Sequence, residues 1–119
     1  MKKTLVLGAS LHGYRYAYKA IKRLAEKGIE VACLGKRDGD LDGIKIHTNK
    51  ILFQDIDTVT IYLSKKNQIE YYQYIIDLAP RRVIFNPGAE NGDLVEILKK
   101  NNILSVNACT LVLLSMNNY

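Results

Sequence analysis

Histidine and cysteine are scarce in this 119-residue chain, with two of each, and that scarcity excludes several kinds of chemistry at once. His12, His47, Cys33 and Cys109 provide no C-x-x-C and no zinc-ligand spacing. No Ser-His-Asp or Cys-His constellation assembles around so few imidazoles. The sequence therefore predicts no metal site, no catalytic residues and no enzyme. Each cysteine lies inside an apolar segment, the setting of a buried reduced thiol, which fits a cytoplasmic protein. Long apolar runs are missing too. Lys2-Lys3 precede too short an apolar stretch for a signal peptide. Ala108 to Met116 includes Thr110 and Ser115 and is too short to span a bilayer, so no membrane partner is expected. The net charge is +5, but the cations are spread along the chain and no aromatic stacking motif accompanies them. Nucleic acid is therefore not the expected partner. A site for a small, highly phosphorylated anion accounts for the excess equally well.

What is present suits one soluble domain over residues 1–119: 48% of residues are hydrophobic and 24% charged, without repeat, linker or low-complexity segment. Strands and helices alternate. Lys3 to Leu7 reads as a first strand, and Tyr14 to Lys27 as a helix that Gly28 stops. Glu30 to Leu34 is a second strand, followed by a loop over residues 36–50 with turn signals at Asp38-Gly39-Asp40 and Asp42-Gly43 and a short extended piece at Ile44 to Ile46. Ile51 to Ile56 reads as a single helical turn. Asp57 to Leu63 is a third strand, rich in β-branched residues. Ser64 caps a helix from Lys65 to Leu78 with Ile69, Tyr72 and Ile76 inward, ended by Pro80. Arg82 to Phe85 and Ile103 to Val106 are strands four and five, with a helix from Asp93 to Lys100 between them and a closing piece from Cys109 to Met116. The expectation is a single α/β, Rossmann-like three-layer domain with a five-stranded, mainly parallel sheet. In the usual order 3-2-1-4-5, strands one and four flank the topological switch point. The turns after them, Gly8 to Gly13 and Asn86 to Gly88, would then line one crevice.

The first turn, Gly8-Ala9-Ser10-Leu11-His12-Gly13, follows the apolar run Leu5-Val6-Leu7 and opens a helix. Strand, small-residue turn and helix N-terminus cradle a pyrophosphate through backbone N–H groups and the helix dipole. Ser10 stands where a second glycine is usual, and its hydroxyl can donate to a phosphate. A plain βα turn is the other reading. The end of strand two carries Gly35-Lys36-Arg37. A bare ribose needs an acidic acceptor there, so NAD is disfavoured. Unless Lys36 and Arg37 are simply a solvated loop pair, they suit a ribose phosphate. That leaves NADP and coenzyme A open.

The chain resembles the small stand-alone bacterial CoA-binding proteins, and more distantly the N-terminal CoA-binding domain of the succinyl-CoA synthetase alpha subunit. The resemblance runs through Gly8-Ala9-Ser10, Arg15 with Tyr18-Lys19, the basic loop after strand two, Asp55-Ile56-Asp57, Phe85 to Asn91 and Asn107-Ala108-Cys109. It implies non-enzymatic binding of CoA or an acyl-CoA. By it, Gly8, Ala9 and Ser10 would meet the pyrophosphate, with Arg15, Tyr18 and Lys19 nearby. Lys36, beside Gly35 and Arg37, would meet the adenosine 3′-phosphate. Asn86, Pro87 and Gly88 would form the far wall, where the commoner family pattern is aromatic–x–Gln–x–Gly. An NADP-binding or sensing module is the alternative, as is a regulatory interaction domain with a vestigial nucleotide site. Cys109 is either inert or able to form a mixed disulfide with the CoA thiol. Tyr71 and Tyr74 fall off the expected buried face of their helix. They are either scattered surface aromatics or the contact for a homodimer or protein partner.

Overall fold

A computed structural model describes residues 2–119. In chain order the elements are β1 Thr4–Ala9, α1 Tyr16–Glu26, β2 Val31–Gly35, β3 Gly39–Leu41, β4 Ile44–His47, β5 Thr58–Ile61, α2 Lys65–Gln68, α3 Tyr72–Leu78, β6 Arg82–Phe85, α4 Gly92–Lys100, β7 Leu104–Asn107 and α5 Thr110–Ser115. The strands form one sheet in the order β3-β4-β2-β1-β5-β6-β7. Every pairing is parallel except the β3–β4 hairpin. Helices cover both faces, as the sequence predicts for near-continuous apolar strands. Leu5, Leu7, Val59, Ile61, Val83 and Phe85 pack against α3 and α4. Val6, Cys33 and Ile46 pack against Ala17, Ile21 and Leu24 of α1 and Leu114 of α5. Alternate residues of β1 thus serve opposite layers, and each fully buried Leu or Ile contributes about 1.5–3 kcal/mol.

The sheet has seven strands rather than five, and the difference lies in residues 39–47. Asp42 and Gly43 both have positive φ, 52° and 90°, as a two-residue type I′ hairpin turn demands. Asp40 Oδ1 accepts the Gly43 N–H at 2.8 Å. The turn signals in this stretch belong to a hairpin, and β4 joins the parallel set beside β2. This changes the neighbour of β1 at the switch point. It is β5, not the Arg82–Phe85 strand, which lies one position further out.

Two helical expectations also change. Residues 51–56 form no helix. Ile51 and Phe53 donate backbone N–H bonds two residues back, in γ-turn fashion. The expected helix from Lys65 to Leu78 is interrupted by a 3₁₀ turn at Ile69–Tyr71, which shifts its phase. Tyr74, Ile75 and Leu78 are buried, whereas Ile69 is 62% exposed. Tyr74 is no surface tyrosine: its hydroxyl donates to the Ile51 carbonyl at 2.6 Å. Ser64 stands at the N-cap position, but its hydroxyl makes no capping bond and accepts from the Asn67 side chain instead. The helix ends at Leu78 because Ala79 adopts a left-handed conformation just before Pro80.

Asp57 ties the starts of β5 and β6 together. Arg81 donates to both of its carboxylate oxygens, at 2.9 and 3.1 Å, and Thr58 donates to one at 2.7 Å. The Arg81 hydrogen bond, helped by Thr58, holds the Asp57 carboxyl below its ordinary range. A depressed carboxyl contributes stability above its unfolded pKa, near pH 4, and loses it as the pH falls through the folded value. The pair is partly exposed, so its contribution is at most about 1 kcal/mol. Urea melts from neutral to acid pH will show Asp57→Asn less stable near neutrality, with the gap to wild type closing as the pH falls.

Candidate functional site

The carboxyl ends of β2, β1 and β5 meet along one edge of the sheet. β1 ends in a bulge at Gly8, whose φ of +93° leaves the Ala9 carbonyl turned toward β2. A Cβ on Gly8 would stand 3.0 Å from the Tyr62 carbonyl oxygen, and one on Gly35 only 2.4 Å from the Ala9 carbonyl oxygen. Both glycines permit a close approach of backbones that no side chain allows. The structure therefore brings Gly8-Ala9-Ser10 directly beside Gly35-Lys36-Arg37.

The turn that follows is held from within. Ser10 Oγ accepts the His12 N–H at 3.0 Å, which leaves the hydroxyl proton free to donate. Arg15 N–H returns to the His12 carbonyl. Leu11 rests on Gly39 of the hairpin, where a Cβ would stand 2.3 Å from it. α1 then begins without a side-chain cap and without an acidic residue in its first turn. The N–H groups of Tyr16, Ala17 and Tyr18 precede the first helical hydrogen bond, which Lys19 donates to Arg15. Such an end favours an anion. Among the described residues, Arg15, Lys19, Lys36 and Arg37 are exposed and enter no ion pair. Arg15 lies 5.7 Å from the Tyr14 ring centroid and Lys19 5.2 Å from that of Tyr16. Tyr18 is half-buried against the core under α1.

The far side of this edge is β5, and the residues leaving it were absent from the sequence-based candidates. Tyr62, Leu63, Ser64, Lys65 and Lys66 occupy the switch-point position. Lys65 pairs with Asp93 at 3.2 Å, while Lys66 makes no ion pair among the described residues. The Tyr62 hydroxyl is buried beside Thr60 and Thr110 with no well-formed hydrogen bond among the described residues, and burial pushes its pKa up to about 12. The signal for this wall was the apolar β5 run followed by Ser64-Lys65-Lys66; the missing strand in the count concealed it.

Asn86, Pro87 and Gly88 do not flank β1. They lie two strands away, about 10 Å at ordinary strand spacing. Asn86 is turned inward: it donates to Thr60 Oγ1 at 2.6 Å and the Ile61 carbonyl at 3.0 Å, and accepts the Thr110 N–H at 2.9 Å. The Gly88 N–H is already bonded to the Glu90 carboxylate at 2.9 Å. Pro87 is exposed. Gln68 links this loop to the β5 exit. It is fully buried, donates to the Leu63 carbonyl at 2.8 Å and the Ala89 carbonyl at 2.7 Å, and accepts from Asn91 at 2.9 Å. Asn91 in turn caps α4 through Leu94 N–H.

A family profile described as CoA binding domain matches residues 2–115. The chain belongs to this CoA-binding domain family. A crystal structure of a protein described only as uncharacterized is 46% identical, with a TM-score of 0.97, covering 100% of this chain and 98% of that one. The structure of cell-free ID.343 from Thermus thermophilus is 20% identical, with a TM-score of 0.88, covering 99% of this chain and 90% of that one. The conserved hypothetical protein Pfu-723267-001 from Pyrococcus furiosus is 23% identical, with a TM-score of 0.82, covering 94% and 98%. The latter two likenesses concern the fold alone. No curated protein matches the sequence.

For a member of a CoA-binding family, the edge at β1, β2 and β5 has a fitting set of donors: an uncapped helix end, unpaired cations and a free hydroxyl proton. Two depressions of about 280 and 260 Å³ lie elsewhere. One is at the amino-terminal edge near Lys2, Lys27 and Tyr119, the other between α1 and the hairpin at Leu41 and Ile44. Cys33 is buried, which pushes its thiol up to about 12 and leaves it inert, whereas Cys109 is half-buried at the start of α5. Among the described residues no three His, Cys, Asp or Glu side chains cluster as metal ligands, and no helix is long and apolar enough to cross a membrane.

The close approach at Gly35 has a measurable cost of change. Gly35→Ala drives a Cβ into a backbone carbonyl and will destabilise the fold by about 1–3 kcal/mol in chemical denaturation. Gly92→Ala meets open space and will stay within about 0.5 kcal/mol of wild type.

Proposed function

We propose that the protein binds coenzyme A or an acyl-CoA, without catalysing a reaction, across the carboxyl edge of β2, β1 and β5. The observation that carries this reading is the pairing of an uncapped α1 N-terminus, free of acidic residues, with the unpaired cations Lys36 and Arg37 on the next strand exit. In this reading the pyrophosphate meets the Gly8-Ala9-Ser10 turn and the α1 N–H groups, with Arg15 and Lys19 adding charge. The ribose 3′-phosphate meets Lys36, with Arg37 beside it. No carboxylate occupies Gly35, Lys36 or Arg37, so a bare ribose lacks its usual acceptor there. The wall toward β5 supplies Ser64 and Lys66, a revision of the Asn86–Gly88 wall that follows from the strand order.

NADP shares the ribose phosphate and is the competing ligand. Thermal shift with CoA, dephospho-CoA, NADP and NAD separates the two. CoA at 100 times its dissociation constant adds about 2.7 kcal/mol, and it will give the largest shift of the four. A larger shift with NADP overturns the CoA reading, and no shift with any of the four favours a domain whose nucleotide site is vestigial.

Lys36→Ala tests the phosphate assignment. A charge-assisted hydrogen bond at an exposed site is worth roughly 1–3 kcal/mol, about a 5- to 150-fold change in affinity. The variant will lose CoA affinity on that scale and keep its affinity for dephospho-CoA, and the difference will shrink as salt rises. Equal losses for both ligands in titration calorimetry would show that Lys36 does not read the 3′-phosphate.

A further inference from the structure

The two edges of the sheet are built differently. β3, at one edge, has three residues and carries Asp40. β7, at the other, has four residues with neither charge, proline nor bulge, so apart from its short length it lacks the usual devices that keep an exposed strand from pairing. Leu104 and Val106 lie opposite Arg82 and Ile84 in the β6 register. They therefore share the side of the sheet on which Thr110 of α5 meets Thr60 of β5. α5 does not cover them: Leu104 is 60% exposed and Val106 38%.

The charge pattern distinguishes what can sit here. The chain carries +5, yet every Lys, Arg, Asp, Glu and His lies before Asn101. Two copies of a basic protein repel across any face that carries its cations. β7 and α5 carry no charged side chain, and Arg82, the cation opposite Leu104, is buried with its guanidinium over the Tyr119 ring. We propose that β7 is the seam of a symmetric dimer, in which the Leu104–Asn107 strands of two copies pair antiparallel and continue one sheet through both.

A two-fold axis normal to the sheet makes this contact self-complementary. Directly opposed residues of an antiparallel pair lie on the same face. A register centred on Ser105 sets Ser105 against its own copy and Leu104 against Val106 of the other chain. All four apolar side chains then share the bare face, whereas a slip of one residue would set Leu104 against a residue of the opposite face. This seam replaces Tyr71 and Tyr74 as the expected contact, since Tyr74 is buried. It lies on the β7 edge, away from the cations at the β2 exit, and does not depend on the ligand reading.

Sedimentation equilibrium across a concentration series will give a species of twice the 13.5 kDa chain mass, undiminished by added salt. The double variant Leu104→Lys with Val106→Lys will sediment as a monomer, with circular dichroism and melting showing that it remains folded, because both sites are exposed. Ser105→Cys in a Cys109→Ser background will form a disulfide-linked dimer under mild oxidation. Opposed strand residues have Cα atoms about 4.5–5.5 Å apart, within disulfide reach. A monomeric wild type, or a dimer that survives the double variant, overturns the seam. A dimer that the double variant dissociates but Ser105→Cys fails to cross-link overturns the register.

Discussion

The contact between the Ala9 carbonyl and the bare α-carbon of Gly35 governs the geometry of the candidate site. Because residue 35 has no side chain, β1 and β2 stay paired through the bulge at Gly8 and leave the sheet together. The bulge directs the chain over the sheet edge into the turn that opens α1, whose first N–H groups carry no side-chain cap. Lys36 and Arg37 follow Gly35 immediately, so the backbone contact also sets where those cations emerge. The site is thus organised by steric permission more than by attraction. Two glycines allow the main chain to come close, and charge accumulates around that approach.

Much of the fold was legible because strands and helices differ in period and the breaks are explicit. Arg82–Phe85 was readable to the residue, and α1 and α4 to within two residues of their ends. The hairpin at residues 39–47 was present as Asp42-Gly43 between the single apolar Leu41 and the short alternation Ile44-Lys45-Ile46, but such short strands carry too little pattern to outweigh the turn residues around them. That omission shifted the strand count and exchanged β5 for β6 beside β1. The turn after β1 and the basic exit of β2 were found because their chemistry is local. The facing wall was not, because it depends on counting every strand between. The phase of residues 65–78 failed for a similar reason: one 3₁₀ turn rotates everything downstream, and only tertiary packing of Tyr74 against the Ile51 carbonyl reveals it.

Polar groups inside the sheet carry information that hydrophobic packing lacks. Asn86, Thr60 and Thr110 join β6, β5 and α5 through fully engaged hydrogen bonds. Each partner lost would leave a buried group unsatisfied at about 1–3 kcal/mol. An apolar core tolerates small slips; this cluster does not. It holds α5 in place over β5 and β6, and so determines which part of the β7 face stays bare.

Gln68 has a mechanical consequence. One side-chain amide grips the main chain at Leu63 and at Ala89, while its oxygen holds the cap of α4. The two exits are thereby riveted into one stiff jaw. The opposing jaw, from Ser10 to Arg15, is braced by bonds within the turn and by Leu11 against Gly39. The firmest part of this sheet edge is therefore the β5 and β6 side, where one buried amide spans both exits, while the Ser10–Arg15 turn is largely exposed and held by bonds among its own residues and one apolar contact.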